Sequence, residues 1–338
     1  MTSRFDQYQA VEKAVGWADR GSRSRLRVSG PDAAKFLHNV TTNDVKRLPA
    51  GRGCEAFVTS LKGRTLAYVS IHRLPDSFLV RADAEGLSAA LPHMRKYGVF
   101  DDVDIEDVSL ETSEHHSAGP GAEAWLAAAG AAIPEAADLA VVATQVLGRD
   151  VLCVREASTG RPGFTLIAVG EAHAGLGEAL RAAEADSKLV RLEDEVFEAL
   201  RIEAGTPVFG REVTEGNLPQ EIGRDDRAIS FVKGCYIGQE TVARLDALGH
   251  VNRIIKGLRF QADDGSVPPP GATLLADGKD IGAVTSAAFS PGWDAWIGMG
   301  LIRVSHAKAG AELSWRDPET GEPRQATVAD LPMFPPRG

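Results

Sequence analysis

Cysteine is scarce in this sequence, with three residues in a chain of 338. Cys54, Cys153 and Cys235 lie far apart, and no C-x-x-C pair or Cys/His cluster has the spacing of a zinc site. A disulfide framework and a structural zinc site are therefore not expected. The sequence indicates free thiols in a reducing compartment.

An excess of positive charge and long apolar runs are absent as well. Asp and Glu number 47 against 37 Lys and Arg, so the formal net charge is −10. This balance disfavours non-specific nucleic-acid binding, because such binding needs Lys and Arg to neutralise phosphates. No run approaches about eighteen apolar residues, and the first residues lack the apolar core of a signal peptide. We expect a cytoplasmic protein with neither a nucleic-acid nor a membrane partner.

The residues that are present predict an α+β fold. Alternating apolar positions predict strands over residues 55–61 and 65–73, joined by a Lys-Gly-Arg hairpin turn. Residues 194–204 carry apolar side chains at helical spacing. Gly205 can end that helix, and Pro207 prevents its continuation.

A second α+β unit is predicted after residue 101. Residues 113–121, which include His115 and His116, are rich in Ser, Gly and Pro, and this composition favours a solvated loop over a metal site. From residue 257 onward, Gly, Pro and short apolar runs alternate, with a hairpin signal at 277–278. This tail predicts a small antiparallel barrel.

The densest cluster of chemically unusual residues surrounds Cys235. Gly234 and Gly238 bracket a Cys-Tyr pair, so the backbone can turn sharply or approach a ligand there. Lys233 precedes the thiol by two residues, and a nearby positive charge stabilises a thiolate. A helix starting at residues 239–244 would direct its N-terminal dipole toward the same thiol. Two interpretations stay open, a reactive thiol and a small buried hydrophobic side chain.

Arg201 and Glu203 form a second candidate site at the end of the 194–204 helix. Two positions apart, they do not share one helix face. Near the frayed end of the helix they can reach different parts of one ligand. The alternative is a pair of solvated charges.

Residues 233–240 read Lys-Gly-Cys-Tyr-Ile-Gly-Gln-Glu. This octapeptide resembles the K-G-C-Y-x-G-Q-E signature of the YgfZ family of folate-binding proteins, which are relatives of the glycine-cleavage T-proteins. Matches to the family or to T-proteins run along the chain, at residues 29–33, 36–37, 42–45, 62–64, 200–205, 219–221 and 282–286. The chain is therefore identified as a member of the YgfZ family.

The resemblance implies a three-part cloverleaf. Residues 1–255 are expected to form a folate-binding region of two interleaved α+β subdomains, 1–100 with 190–255 and 101–189. Residues 256–338 are expected to form the C-terminal β-barrel. The implied ligand is tetrahydrofolate or a one-carbon derivative in a central channel. The implied partners are iron–sulfur assembly proteins or client iron–sulfur enzymes, with tRNA-modifying enzymes among the clients.

The resemblance also implies roles for single residues. Cys235, with Lys233 beside it, is the expected functional thiol, and its role as nucleophile, redox group or transient iron–sulfur contact stays open. No resident metal is expected. Arg201 is the candidate for a folate carboxylate, because its planar fork suits bidentate contact, and Glu203 is the candidate acceptor for pterin N–H groups. The other implied folate contacts are Tyr236, Gln239 and Glu240.

Two departures separate the chain from an aminomethyltransferase of the T-protein type. Ala67 and Tyr68 stand where T-proteins carry paired aspartates, one of them catalytic, and Thr165 stands where a glutamate contacts the pterin. The first departure favours an accessory protein, and the second bears on how strongly folate is held. Two alternatives stay open: a transferase in which Asp101 or Asp102 replaces the lost carboxylate, and a scaffold with an unused pocket.

Overall fold

The computed structural model describes residues 2–185, 188–249, 251–261, 268–317 and 320–336. These residues form three bodies of β-structure, each flanked by helices or loops: a five-stranded sheet, a six-stranded sheet and a closed six-stranded barrel. The predicted α+β class and the C-terminal barrel are confirmed. Within the described residues, no helix has both the length and the apolar character needed to cross a membrane.

The helices are α1 (Arg4–Lys13), α2 (Ala33–Val40), α3 (Ala84–Tyr97), α4 (Ala122–Ala128), α5 (Leu176–Ala183), α6 (Asp194–Ala204), α7 (Asp225–Ala228) and α8 (Gln239–Leu248). Short 3-10 helices cover Ser109–Glu111, Gly170–Ala174, Pro219–Ile222 and Val304–His306. The strands are β1 (Val15–Asp19), β2 (Arg23–Ser29), β3 (Gly53–Thr59), β4 (Thr65–Arg73), β5 (Ser77–Asp83), β6 (Asp104–Asp107), β7 (Thr112–Ala118), β8 (Val141–Val146), β9 (Arg149–Arg155), β10 (Gly163–Val169), β11 (Leu189–Arg191), β12 (Arg253–Phe260), β13 (Thr273–Ala276), β14 (Lys279–Ser290), β15 (Ala295–Arg303), β16 (Glu312–Arg316) and β17 (Pro323–Ala329).

The five-stranded sheet has the antiparallel order β3-β4-β5-β2-β6, and helices α2 and α3 cover one face. Phe36, Leu37 and Val40 stand at helical spacing on α2 and are fully buried in the core that α2 shares with the sheet. Burying one such side chain contributes about 1.5–3 kcal/mol. Helix α2 ends at Val40, and the next residue, Thr41, has an extended backbone.

The six-stranded sheet has the order β11-β1-β7-β10-β9-β8. The predicted loop over residues 113–121 is wrong, because β7 is a central strand paired with β1 on one side and β10 on the other. Its polar side chains are buried against partners: His116 Nδ1 lies 2.9 Å from Thr165 Oγ1, and the His115 ring meets the Trp17 ring edge-on at 5.7 Å. The polar composition of these residues suggested a loop, but a strand with polar side chains can be buried when those side chains have hydrogen-bond partners.

The two sheets do not follow the boundary expected near residue 100. Strand β1 precedes that boundary but pairs within the six-stranded sheet, whereas β6 follows it and pairs with β2 in the five-stranded sheet. Each of these two strands pairs with strands that lie on the other side of residue 100 in the sequence. The two sheets therefore exchange strands across residue 100, and no single boundary at that residue separates them.

The barrel closes in the order β12-β15-β14-β13-β16-β17. Asp277 and Gly278 join β13 to β14 with φ values of 49° and 73°, the left-handed conformations of a two-residue hairpin turn. After β17 the chain returns to α6, where the Met333 N–H donates to Glu203 O at 2.8 Å. Helix α6 also contacts barrel strands β14 and β15, so it joins the barrel to the N-terminal region.

Candidate functional site

A cavity of about 650 Å³ lies where the three parts meet. Its wall includes Glu55 on β3 and Tyr68 and Ser70 on β4. Ser70 is paired with Glu55 across the strands and alternates with Tyr68, so these three side chains share one face of the sheet. Other parts of the wall come from β2, from residues 136–139, from the segment after β9, from the start of α7, from the end of α6 and from the C-terminal segment. Glu156, Arg224, Arg227, Thr206 and Phe334 are among these residues.

A hydrogen-bonded group holds Glu55 and Tyr68 in place. The Tyr68 hydroxyl donates to one Glu55 oxygen, and Arg227 donates to the other through Nε at 2.9 Å and Nη2 at 2.6 Å. Burial raises the pKa of Tyr68 well above its ordinary value, so Tyr68 stays a neutral donor. Ala67 faces the opposite side and is buried in the sheet core. Positions 67 and 68 carry no carboxylate, as the sequence shows, and the group that position 68 presents to the cavity is the neutral hydroxyl of Tyr68.

Arg224 differs from its neighbour Arg227. Arg227 is paired with Glu55 and Asp138, whereas the side chain of Arg224 has no hydrogen-bond or ion-pair partner among the described residues, and its Nε is buried. The buried Ser70 hydroxyl is likewise without a partner among the described residues. Unpaired polar groups are uncommon inside proteins and need an explanation. Their place on the wall of one cavity indicates a ligand with polar or anionic groups.

A small polar pocket of about 20 Å³ shares Glu156 and Ser158 with this cavity, and Thr165 lines it. The Thr165 hydroxyl donates to Glu156 at 2.7 Å, and Arg81 donates to Glu156 at 3.1 Å. Burial opposes ionisation of Glu156, but Arg81 and Arg23 together hold its pKa below the ordinary value. Glu156 therefore supplies a carboxylate beside Thr165. Sequence reasoning missed it, although its position directly after strand β9 was a usable signal.

Arg201 is enclosed by protein acceptors. Nε and Nη2 donate to Glu198 at 2.9 and 2.6 Å, Nη1 donates to Glu212 at 2.9 Å and to Thr206 O at 2.5 Å, and Nη2 also donates to Ser286 at 2.9 Å. These contacts use all five N–H groups of the guanidinium. Arg201 therefore has no free donor for the ligand carboxylate that the resemblance assigns to it, although its edge reaches a second cavity of about 1080 Å³ beside α6.

Glu203 is also saturated from within the protein. Its carboxylate, fully buried, accepts from Tyr8 at 3.0 Å, Arg161 at 2.6 Å and Ser290 at 2.5 Å. Burial raises the pKa of Glu203, and Arg161 opposes that shift. These partners come from α1, the β9–β10 segment and β14. Glu203 therefore fastens three elements together, and none of its contacts leads to the central cavity.

Cys235 is exposed, which excludes the buried, packing interpretation of this thiol. The Lys233 ammonium is engaged by the main chain: it donates to the carbonyl oxygens of His38, Thr41 and Asn43, the last two at 2.6 and 2.9 Å. Burial lowers the pKa of Lys233 to about 7. The predicted activation of the thiol by Lys233 is therefore unsupported, because all three ammonium hydrogens serve main-chain carbonyls at the end of α2.

The remaining predicted contacts lie apart from the cavity. Tyr236 is buried beside the barrel, and burial raises its pKa to about 12. Gln239 begins α8, and Glu240 is exposed. The described residues that line the cavity include none of these three, nor Cys235. Asp101, which pairs with Lys35 at 2.8 Å, and its neighbour Asp102 are also absent from that wall.

Comparison with known proteins accounts for this architecture. Residues 3–233 match the model of the GCVT N-terminal domain, and residues 253–335 match that of the glycine cleavage T-protein C-terminal barrel domain. The chain belongs to the glycine-cleavage T-protein family. Residues 234–252 separate the two matched regions, and the first barrel strand, β12, begins at Arg253.

Relatives within the family span most of the chain. It is 27% identical to an aminomethyltransferase of Thermoanaerobacter pseudethanolicus, with 92% of this chain and 84% of the relative covered. It is 27% identical to a putative chloroplastic transferase of Arabidopsis thaliana, with 96% and 72% covered. The crystal structure of the glycine cleavage system aminomethyltransferase T from Bartonella henselae superposes with a TM-score of 0.86 at 22% identity, covering 99% of this chain and 91% of that one. The predicted T-protein-like fold is therefore confirmed.

Proposed function

We propose that this chain is a tetrahydrofolate-binding accessory protein that supports the assembly or maintenance of iron–sulfur enzymes. The ligand, tetrahydrofolate or a one-carbon derivative, occupies the central cavity, and Cys235 acts from a separate, exposed surface. The observation that carries the ligand proposal is the unpaired Arg224 on the wall of a cavity shared by all three parts of the fold. A guanidinium without a partner suits a ligand carboxylate.

The shape and lining of the cavity also suit a reduced folate. Aromatic and aliphatic groups, including Tyr68, Leu139 and Phe334, supply apolar surface for a flat ring. Glu156 can accept from ring N–H groups, since its pKa is held low and it is ionised near neutral pH. A polar ring edge and a carboxylate tail thus both find complementary groups. The family membership adds support, because two of the three proteins compared above are named as aminomethyltransferases.

Isothermal titration of the full chain with tetrahydrofolate and with 5-formyltetrahydrofolate tests the ligand. Saturable binding is expected, and Arg224→Gln should weaken it about 10- to 100-fold, the effect of losing a hydrogen bond to a charged group. Arg95→Gln, an exposed arginine on α3, is the matched control and should bind like the wild type. Absence of heat with every reduced folate would favour a scaffold with an unused pocket.

A deletion strain with reduced activity of iron–sulfur enzymes tests the second half of the proposal. Cys235→Ala should fold normally, because the side chain is exposed, yet fail to restore those activities. Cys54→Ala, which removes a half-buried thiol, controls for the loss of a cysteine in general. Full rescue by Cys235→Ala would remove the thiol from the mechanism.

Folate-dependent aminomethyl transfer is the second candidate, favoured by the names of the relatives. Against it stands Tyr68, whose protonated hydroxyl is tied to Glu55 where T-proteins carry the catalytic carboxylate. Incubation with an aminomethylated lipoyl carrier protein and tetrahydrofolate distinguishes the two functions. We expect no sustained release of methylenetetrahydrofolate, and multiple turnovers would replace the accessory role with catalysis.

A further inference from the structure

A cavity of about 730 Å³ lies where the barrel meets the β3–β4 turn. Three arginines line it: Arg64 from that turn, Arg253 at the start of β12 and Arg303 at the end of β15. It shares no described lining residue with the central cavity, so it is a separate place on the molecule. In a chain with a formal net charge of −10, this local concentration of positive charge attracts anions.

Two of these arginines lie directly opposite each other in the barrel. Arg253 and Arg303 are partners in the antiparallel register of β12 and β15, so their side chains leave the same face of the sheet. It is the outer face, because the next pair, Ile254 and Ile302, belongs to the core of the barrel. Cross-strand partners have Cβ atoms about 4.5–5.5 Å apart, and like charges at that separation are destabilising. An anion that binds both guanidinium groups removes this repulsion.

Among the described residues that line this cavity, Glu221 alone carries a carboxylate. One Glu221 oxygen lies 3.4 Å from Arg253 Nε, and the other accepts a main-chain N–H at 3.0 Å. Arg64 donates through Nη1 to the Gly216 carbonyl oxygen at 2.6 Å. The side chain of Arg303 has no hydrogen-bond or ion-pair partner in the part of the chain that the structure describes. Three guanidinium groups thus face one carboxylate, and the protein uses few of their N–H donors.

We propose that this cavity binds the phosphate group of a small phosphate monoester. Such a group carries a charge of about −1.5 to −2 near pH 7 and presents three acceptor oxygens. Its charge matches the local excess of two positive charges, and each guanidinium can donate to one oxygen. Arg253 and Arg303 hold the phosphate from the barrel, and Arg64 holds it from the β3–β4 turn. A single carboxylate would supply only half of that charge.

The rest of the ligand lies against the apolar part of the wall. Leu218, Val251 and Val304 line the same cavity, and Val304 is 43% exposed. The cavity, at about 730 Å³, has the size of a small-molecule site and exceeds what a phosphate ion alone needs. A nucleic-acid backbone is a poorer match, because each of its phosphates carries a single charge. The expected ligand is therefore a phosphorylated small molecule with an apolar part.

Isothermal titration of the full chain with phenyl phosphate, in phosphate-free buffer at constant ionic strength, tests this site. Saturable binding is expected, and inorganic phosphate should bind more weakly because it lacks the apolar part. Arg303→Gln should weaken the binding of phenyl phosphate about 10- to 100-fold, the effect of losing a hydrogen bond to a charged group. Arg259→Gln is the matched control, because Arg259 lies on the same outer face of β12, opposite Ile297, and does not line the cavity. It should bind like the wild type.

Thermal unfolding gives a second, independent measurement of the same site. Without phosphate, Arg303→Gln should unfold at a temperature equal to or above that of the wild type, because the cross-strand repulsion is gone. Saturating phenyl phosphate should raise the unfolding temperature of the wild type and leave that of the variant nearly unchanged. A lower unfolding temperature of the variant without phosphate, or an equal rise in both proteins, would overturn the inference.

Two further titrations separate this site from its alternatives. Arg224→Gln should leave the binding of phenyl phosphate unchanged, since Arg224 lines the central cavity and not this one. A single-stranded oligonucleotide without terminal phosphates should bind more weakly than phenyl phosphate. Tighter binding of the oligonucleotide, lost in Arg303→Gln, would overturn the proposal and assign the cavity to a nucleic-acid backbone. Absence of saturable binding by both phenyl phosphate and inorganic phosphate would reject the site.

Discussion

Lys233 serves the fold at the position where the sequence suggests chemistry. Helix α2 ends at Val40, and the carbonyl groups of its last turn lack partners within the helix. The Lys233 ammonium, brought from almost two hundred residues further along the chain, satisfies His38 O and two carbonyls just beyond it. A cation at this end also complements the helix dipole. The side chain therefore fastens the Cys235 loop to α2.

Lys233→Met should lower the free energy of unfolding by about 1–3 kcal/mol, because it leaves buried carbonyl groups without a donor. Urea denaturation followed by circular dichroism measures the change. Lys62→Met, at an exposed position of the β3–β4 turn, is the control and should change the free energy by less than about 0.5 kcal/mol. Equal stability of the two variants would show that water replaces the ammonium at the end of α2.

At the scale of an element, helix α6 is the axis that connects the parts. Gly205, the residue directly after this helix, has φ 67°, and its N–H donates to Arg201 O and Ile202 O. A Cβ on Gly205 would lie 2.8 Å from the Cβ of Leu331 in the C-terminal segment. Gly205 thus ends the helix and lets the segment after the barrel pack against it.

Gly205→Ala should therefore lower the free energy of unfolding for two reasons, the left-handed backbone and the contact with Leu331. Gly223 has nearly the same backbone, with φ 72°, but nothing lies within 4 Å of its Cβ position. Gly223→Ala should cost about 1–2 kcal/mol for the left-handed conformation alone, and Gly205→Ala should cost about 1–3 kcal/mol more for the displaced Leu331. Urea denaturation of both variants gives the difference. Equal losses would mean that Leu331 moves without penalty.

At the scale of the whole molecule, a buried charge network joins the two sheets. Arg81 from β5 donates to Glu114 from β7 at 2.7 Å, and both side chains are about 1% exposed. His72 from β4 lies 3.2 Å from Arg81 through Nε2, and His116 from β7 contacts Ser158 and Thr165. Removing one member of a buried pair generally costs about 3–5 kcal/mol. The contact between the two sheets thus depends on the protonation states of Glu114 and of the two histidines.

The network predicts loss of stability in acid. Burial lowers the pKa of His72 to about 3 and that of His116 to about 4, whereas an unfolded histidine titrates near about 6.5. Between about pH 6.5 and pH 4 the unfolded chain therefore binds more protons than the folded one, and stability falls as pH falls. Each histidine contributes up to about 1.4 kcal/mol per pH unit there.

Urea denaturation at several pH values between about 4.5 and 7.5 measures this slope. His116→Gln should reduce this slope by up to about 1.4 kcal/mol per pH unit, the contribution of one proton, since glutamine does not titrate. The Arg81–Glu114 pair affects the slope only at lower pH. Burial raises the pKa of Glu114, but Arg81 outweighs it and lowers that pKa to about 2. A wild-type curve that stays flat between about pH 6.5 and pH 5 would contradict neutral, buried histidines.

Features that depend on near neighbours were predictable from the sequence. The apolar spacing of residues 194–204 and the glycine that follows predicted helix α6 and its end, and the barrel strands followed from their short apolar runs. The octapeptide 233–240 identified the thiol, which is exposed. Local periodicity suffices there, because each residue's conformation follows from its adjacent residues.

Only the tertiary structure decided which polar groups are free. The side chains of Arg201 and Glu203 are occupied by partners up to about two hundred positions away. The side chain of Arg224, with nothing in its local sequence to mark it, has no partner among the described residues. The same long-range packing separated Cys235 from the central cavity. Pairing of buried polar groups depends on elements distant in sequence, so the sequence by itself determined the thiol, and the fold decided its neighbours.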